Sequence, residues 1–332
     1  NASETNYSDV NSYSHNNVDV SLESFKPLSN KNPLLAGGEG LSSGETAQSD
    51  FDTDSFSSTT SASFVVNIAA GSVDTGADDE NLGWNFDWEL ATSTSYTGND
   101  SLDVVLNAGV SNLMPELDMT NSAGVTVDSI SYTTALGEKS TFFVGNGAAA
   151  GSSLYNVACV YGAQTDTLSD CGISSANVDE EFGTAAGASF DVGNGFAVAL
   201  AYEGQGMTSK GLLSDAGADA FGAQVSYSGD SYGISLSWAN IENHDSDNAL
   251  TGTTGSTQSR GVNAYYTPDL DNFPSISVGF ETNHDDTAAD SSDQTSHYFV
   301  GLQWDEFGDG SLGAAFGSKA PYAENGNAET MY

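Results

Sequence analysis

The sequence is nearly without positive charge. Lysine and arginine together number 6 against 46 aspartates and glutamates, a formal −40 at pH 7. Binding phosphate needs Lys and Arg, so a nucleic-acid partner is excluded, and an anionic lipid surface is repelled. Long hydrophobic runs are missing too. No stretch approaches the roughly 18 apolar residues that a spanning helix needs. A β-barrel survives that test, because its strands need apolar residues on one face only.

Histidine is scarce at four: His15, His244, His284 and His297. His244-Asp245 and His284-Asp285-Asp286 stand in long polar connections, where solvated polarity is a better reading than a metal site. No Ser-His-Asp set can be assembled on rigid elements, and the glycines around Gly40 do not follow a strand as a phosphate loop must. The expectation is a non-enzyme with no cofactor beyond calcium or other cations held loosely by the acids. The two cysteines, Cys159 and Cys171, read as one local disulfide and an oxidising compartment.

What is present begins with the acids. They suit a solvated surface in a saline medium, where at about 0.5 M salt the Debye length is only about 4–5 Å. They equally suit a pathway for cations, and composition does not separate the two. Residues 1–55 are rich in Ser, Asn, Asp and Gly with no sustained period, and read as a flexible N-terminal segment.

From Phe56 short alternating runs appear. Trp84, Phe86, Trp88 and Leu90 alternate with Asn85, Asp87 and Glu89. The same period of two recurs at Leu102–Ala108, Phe196–Tyr202, Phe221–Tyr227, Tyr232–Trp238, Ile276–Phe280 and Tyr298–Trp304. Each marks a strand with one apolar face and one polar or small face. Short turns such as Thr97-Gly98-Asn99-Asp100 alternate with long acidic connections at 203–218, 240–259 and 282–296. That asymmetry marks a membrane barrel. The pattern predicts an all-β fold, a transmembrane antiparallel β-barrel spanning 56–332, with about thirteen strands and another starting near Ala328. An even, closed barrel needs about sixteen, so C-terminal strands are expected to be missing. Aromatics at strand ends form two belts. One tension remains: Phe196 to Tyr202 covers only about 15 Å at a 45° tilt, short of the roughly 25 Å apolar band.

Several segments are similar to one family. They are Phe56-Ser57-Ser58-Thr59-Thr60-Ser61, the run 154–162 with its partner Asp170-Cys171-Gly172, the run 183–190, Ala201-Tyr202-Glu203-Gly204 and the run 298–303. Together they resemble cyanobacterial porins of the Som type, with an OprB-like barrel, as found in marine picocyanobacteria. The resemblance implies a cell outer-membrane location, homotrimers, and passive uptake of inorganic ions and small organic solutes, with iron or carbohydrate as favoured cargo in some members. Longer members carry a peptidoglycan-anchoring domain, of which residues 1–55 show no trace.

Strand parity points Asp87, Glu89, Asp103, Asp128 and Glu281 into the pore, where converging carboxylates favour cations. The longest connection, about 146–183, carries Asp166, Asp170, Asp179, Glu180 and Glu181 with both cysteines. It is the third long connection, and the resemblance to porins, whose long third loop folds into the barrel, implies that it folds inward as a disulfide-stapled constriction. Arg260, the only arginine, either faces that constriction or sits at the rim, the rim being favoured. The competing expectation is a secreted, acidic, β-rich cell-surface or structural protein.

Overall fold

The computed structural model describes residues 59–71, 83–110, 120–161, 171–173, 175–180, 182–205, 211–214, 217–244, 253–270, 272–286, 293–308, 310–318, 322–323 and 330–331. The N-terminal segment 1–55 therefore lies outside the described residues.

Thirteen strands follow in chain order: β1 (Thr60–Gly71), β2 (Gly83–Thr94), β3 (Asp100–Val110), β4 (Thr126–Ala135), β5 (Ser140–Gly147), β6 (Gly183–Gly193), β7 (Phe196–Gly204), β8 (Asp219–Ser228), β9 (Tyr232–His244), β10 (Thr253–Tyr266), β11 (Ser275–Asp285), β12 (Gln294–Phe307) and β13 (Gly310–Ser318). Two short pieces, β14 (Tyr322–Ala323) and β15 (Thr330–Met331), pair with β12 and β13. All belong to one sheet in which each of the thirteen strands pairs antiparallel with its neighbours in sequence. Among the described residues β1 pairs with β2 alone.

Tight turns set this up-and-down order. Between β6 and β7, Asn194 and Gly195 both take positive φ (56° and 82°), the backbone of a two-residue hairpin whose twist matches its strands. Between β2 and β3, Asp100 Oδ1 accepts from the Tyr96 and Thr97 amides and from Ser95 Oγ at 2.8–2.9 Å, closing the bend with its own carboxylate.

The two faces of the sheet are opposite in character. One, the open face, carries Phe64, Phe86, Val198, Leu236, Trp238, Val278, Phe280, Val300 and Phe316, all exposed; Leu236 is 55% accessible. The other buries Ser235, Asn263 and Glu281 at 0% and Gln224 at 1%. In water, each Val, Leu, Ile or Phe left outside forfeits about 1.5–3 kcal/mol of burial. The arrangement is stable only where the solvent outside is apolar.

The register is continuous: Val198, Val225, Leu236, Val262, Phe280 and Tyr298 form one cross-strand row of the open face. Two of the long connections are shorter than the sequence pattern predicts. β9 runs to His244 and β10 starts at Thr253, while β11 reaches Asp285 and β12 starts at Gln294. The apolar period stops at Trp238 and Phe280, yet the backbone ladder continues through polar residues such as Gln258, Asn283 and His284. Ladder bonds need no apolar side chain. The backbone itself is long enough to span: 14 residues in β10 rise about 30 Å at about 3.3 Å per residue and 45° tilt, while the apolar rows on it stay shorter than the strand.

Candidate pore constriction

The described parts of the connection from β5 to β6, 148–161, 171–173, 175–180 and 182, stay on the sheet. They lie against the polar face, hereafter the loop face, as a flattened hairpin with an outgoing arm (148–161) and a return arm (171–182). Along the outgoing arm a 3₁₀ turn, Gly151–Leu154, packs Leu154 against Phe143 of β5 and Ala185 of β6. The Asn156 amide then donates to Gln224 of β8 at 2.6 Å, the Ala158 amide to Ser235 of β9 at 3.0 Å, and the Val160 amide to Ser277 of β11 at 3.0 Å. Tyr161 reaches Phe299 of β12, their rings 5.4 Å apart.

The return arm runs back one or two rows away. Asn263 of β10 donates to the Cys171 carbonyl at 2.8 Å. The second 3₁₀ turn, Ser175–Asn177, places the Ala176 amide 2.8 Å from Glu281 of β11. Val178 packs on a flat platform of Ala201, Ala220 and Ala239 from β7, β8 and β9. The arms join where the Ser152 amide meets the Val178 carbonyl at 3.3 Å, and at the far end through the Cys159–Cys171 disulfide, Cα atoms 6.4 Å apart.

Two loop-face carboxylates act as clamps. Glu203, near the end of β7, is 1% exposed and accepts from the Gly151, Glu180 and Phe182 amides at 2.6, 2.9 and 3.5 Å. Glu281 accepts from the Ala176 amide and from Asn283 Nδ2 at 2.9 Å. Burying a carboxylate costs several kcal/mol, offset here by bonds of about 1.5–3 kcal/mol each from donors to a charged group. Glycine supplies the room for the loop. A Cβ on Gly279 would collide with the Cys171 carbonyl, and one on Gly222 with Val178 and Tyr155.

No protein-family model matches the chain, and no curated protein matches it in sequence. Solved structures do. Pseudomonas putida OprB at high pH aligns with a TM-score of 0.51 and 9% identity, covering 80% of this chain and 76% of that one. The anion-selective porin from Comamonas acidovorans aligns at 0.49 and 14% identity, covering 78% and 79%. OmpT from the outer membrane of Vibrio cholerae aligns at 0.47 and 11%, covering 82% and 80%. The fold is that of the outer-membrane porins. At these identities the likeness speaks for the fold alone.

In a porin fold the apolar side meets lipid and the polar side lines the channel. Seen so, the acids fall into two groups. Glu89 is exposed on the loop face of β2, with Asp87 and Asp128 as its charged neighbours. Asp128 accepts from Asn107 Nδ2 at 2.7 Å, and Asp103 of β3 from Ser101 Oγ at 2.6 Å. Asp87 is 6% exposed and binds the Thr120 amide at 3.0 Å, so it ties down the β3–β4 connection. The second group is on the loop: Asp179 is exposed and Glu180 half-buried. Burial, then the charges of Asp179 and Glu281, push the Glu180 carboxyl above its usual value. Asp166, Asp170 and Glu181 lie outside the described residues.

Two expectations need correction. Glu281 has the expected parity but does not face open channel; the return arm covers it completely. Arg260 is not at the constriction. It shares the open face with Val262 and Tyr266, opposite Trp238 in register, because its position is even where the loop-face residues Ser259, Gly261 and Asn263 are odd. Sequence reading missed Glu203 as a clamp and took it for the start of a loop. Its signal was parity with Ala199 and Ala201 and the absence of any later apolar residue in that strand.

Proposed function

We propose that the protein is an outer-membrane diffusion channel that passes small polar solutes and prefers cations. One observation carries the reading: a single sheet is apolar outside and polar inside, and a long connection is bonded across the polar side from β7 to β11. A soluble β-sandwich or a secreted acidic shell has no use for an exposed face of Leu236, Trp238 and Phe280. Lipid of the outer membrane is the natural partner of that face.

The loop narrows the channel, and the disulfide joins its two arms. The remaining path runs between the loop acids Asp179 and Glu180 and the wall acids Glu89, Asp103 and Asp128. Carboxylates on both sides lower the free energy of a cation in a narrow aqueous passage and raise that of an anion. The reading includes a homotrimer and the Som-type cyanobacterial relationship as its finer form, with inorganic ions and small organic molecules as solutes. Diffusion through such a passage needs no catalytic group and no cofactor.

Liposome swelling tests it. Vesicles holding the protein should swell in small neutral sugars and amino acids, and swelling should fall steeply with solute size. Vesicles that stay osmotically tight to all of them contradict the reading.

A further inference from the structure

Beneath the return arm lies a group of oxygens that the channel does not use. Glu281 is 0% exposed. Its donors, the Ala176 and Ser175 amides and Asn283 Nδ2, are all neutral, and among the described residues no positive group acts on it. Its cross-strand partner His297 supplies no bond to it: Nε2 engages the Ser318 carbonyl at 2.9 Å, and Nδ1 has no partner. The charge of Glu281 is felt in turn by Glu180 on the return arm, another carboxylate.

On the same face of β10 and β11, and in the turn above it, three further oxygens are buried without a hydrogen-bond partner among the described residues: Asn177 Oδ1, Ser259 Oγ and Asn283 Oδ1. Asn177 is 2% exposed, Ser259 0% and Asn283 7%. Ser259 and Asn283 face each other across β10 and β11. Asn283 turns its nitrogen to Glu281 at 2.9 Å and to Thr295 on the β12 side at 3.3 Å. Its oxygen is thereby left on the β10 side, towards Ser259. Asn177 belongs to the turn whose Ala176 amide sits on Glu281.

A single water could donate to both amide oxygens and accept from the serine. It would leave the Glu281 charge unbalanced, which is the larger cost in a buried site. A hard cation satisfies both needs, since it takes carboxylate, amide and hydroxyl oxygens in flexible numbers. Calcium suits a loosely shaped oxygen set better than magnesium, which demands a strict octahedron and gives up water reluctantly.

We propose that a calcium ion binds between the turn Ser175–Asn177 and strands β10 and β11, held by Glu281, Asn177, Ser259 and Asn283, and pins the return arm to the wall. The site depends on how the loop lies and not on whether the channel conducts.

The test is thermal melting of the full chain in detergent, in chelator and in calcium, magnesium or sodium at matched ionic strength. Acids elsewhere will bind calcium too, so the readout is the difference between wild type and Ser259→Ala. Calcium should raise the Tm of wild type more than magnesium does, and Ser259→Ala should lose about half of that rise. Asn283→Asp, which adds a carboxylate beside Glu281, should melt early in chelator and recover with calcium. Crystals soaked in strontium should show an anomalous peak between Asn177, Ser259 and Asn283. Equal calcium gains in wild type and Ser259→Ala, or a strontium map without a peak there, overturn the proposal.

Discussion

Glu203 shows how one side chain can set the shape of a passage it does not line. It accepts three loop amides from a position 1% exposed. Glu203→Ala leaves those amides unpaired, at about 1–3 kcal/mol for each that stays buried. The loop should lift: single-channel conductance should rise and become noisy, and a protease should cut within 148–182 where it spares wild type. Glu203→Gln keeps one acceptor oxygen and should fall between. Unchanged conductance in Glu203→Ala would mean that the loop is held elsewhere.

On the proposed function, Glu180 should make the passage sensitive to pH. Burial and the charges of Asp179 and Glu281 raise its pKa, so it takes up a proton before ordinary carboxylates near 4.3 do. For a carboxylate raised on folding, the charged form opposes the folded state at neutral pH. That opposition fades as pH falls through the raised value. The loop should therefore lose one charge, and gain slightly in stability, just above the ordinary glutamate range. Cation preference should step down there, and Glu180→Gln should remove the step in a titration of reversal potential.

At the scale of elements, the disulfide staples two arms that also share small apolar clusters around Phe299 and Val178. Reduction should cost about 3 kcal/mol of loop ordering by the chain-entropy estimate, and should leave the strands alone. Amide exchange should quicken within 155–178 while β7 to β12 stay protected; equal loss in both would contradict a local role. The strands were legible because their chemistry is repetitive. Tyr232 to Trp238 alternates cleanly, and its open-face residues are the exposed ones. The upper part of β10, from Thr253 to Ser259, was not legible, because it is polar on both faces and held by backbone bonds to β9 and β11. The inward fold of the loop was expected from its place as the third long connection and its likeness to the porins, whose third long loop folds inward. Its footings, Gln224, Ser235, Ser277, Glu203 and Glu281, were not separable from ordinary channel-facing polarity, since nothing local distinguishes an acid under a loop from one in water. For Arg260 the constriction, the less favoured of its two expected places, is ruled out by parity, which puts it on the open face with Val262.

For the whole molecule the decisive feature is the reversal of inside and outside. An apolar exterior asks for lipid, and an acidic interior asks for cations. The central claim is that carboxylates on both sides of the loop choose the ion. Its most direct measurement is the reversal potential of single channels in a planar bilayer under a potassium chloride gradient. The account predicts a potential on the cation side that shrinks in Glu89→Gln/Asp128→Asn and is unmoved in Arg260→Gln, whose side chain faces lipid. A potential near zero, or one on the anion side, would contradict it.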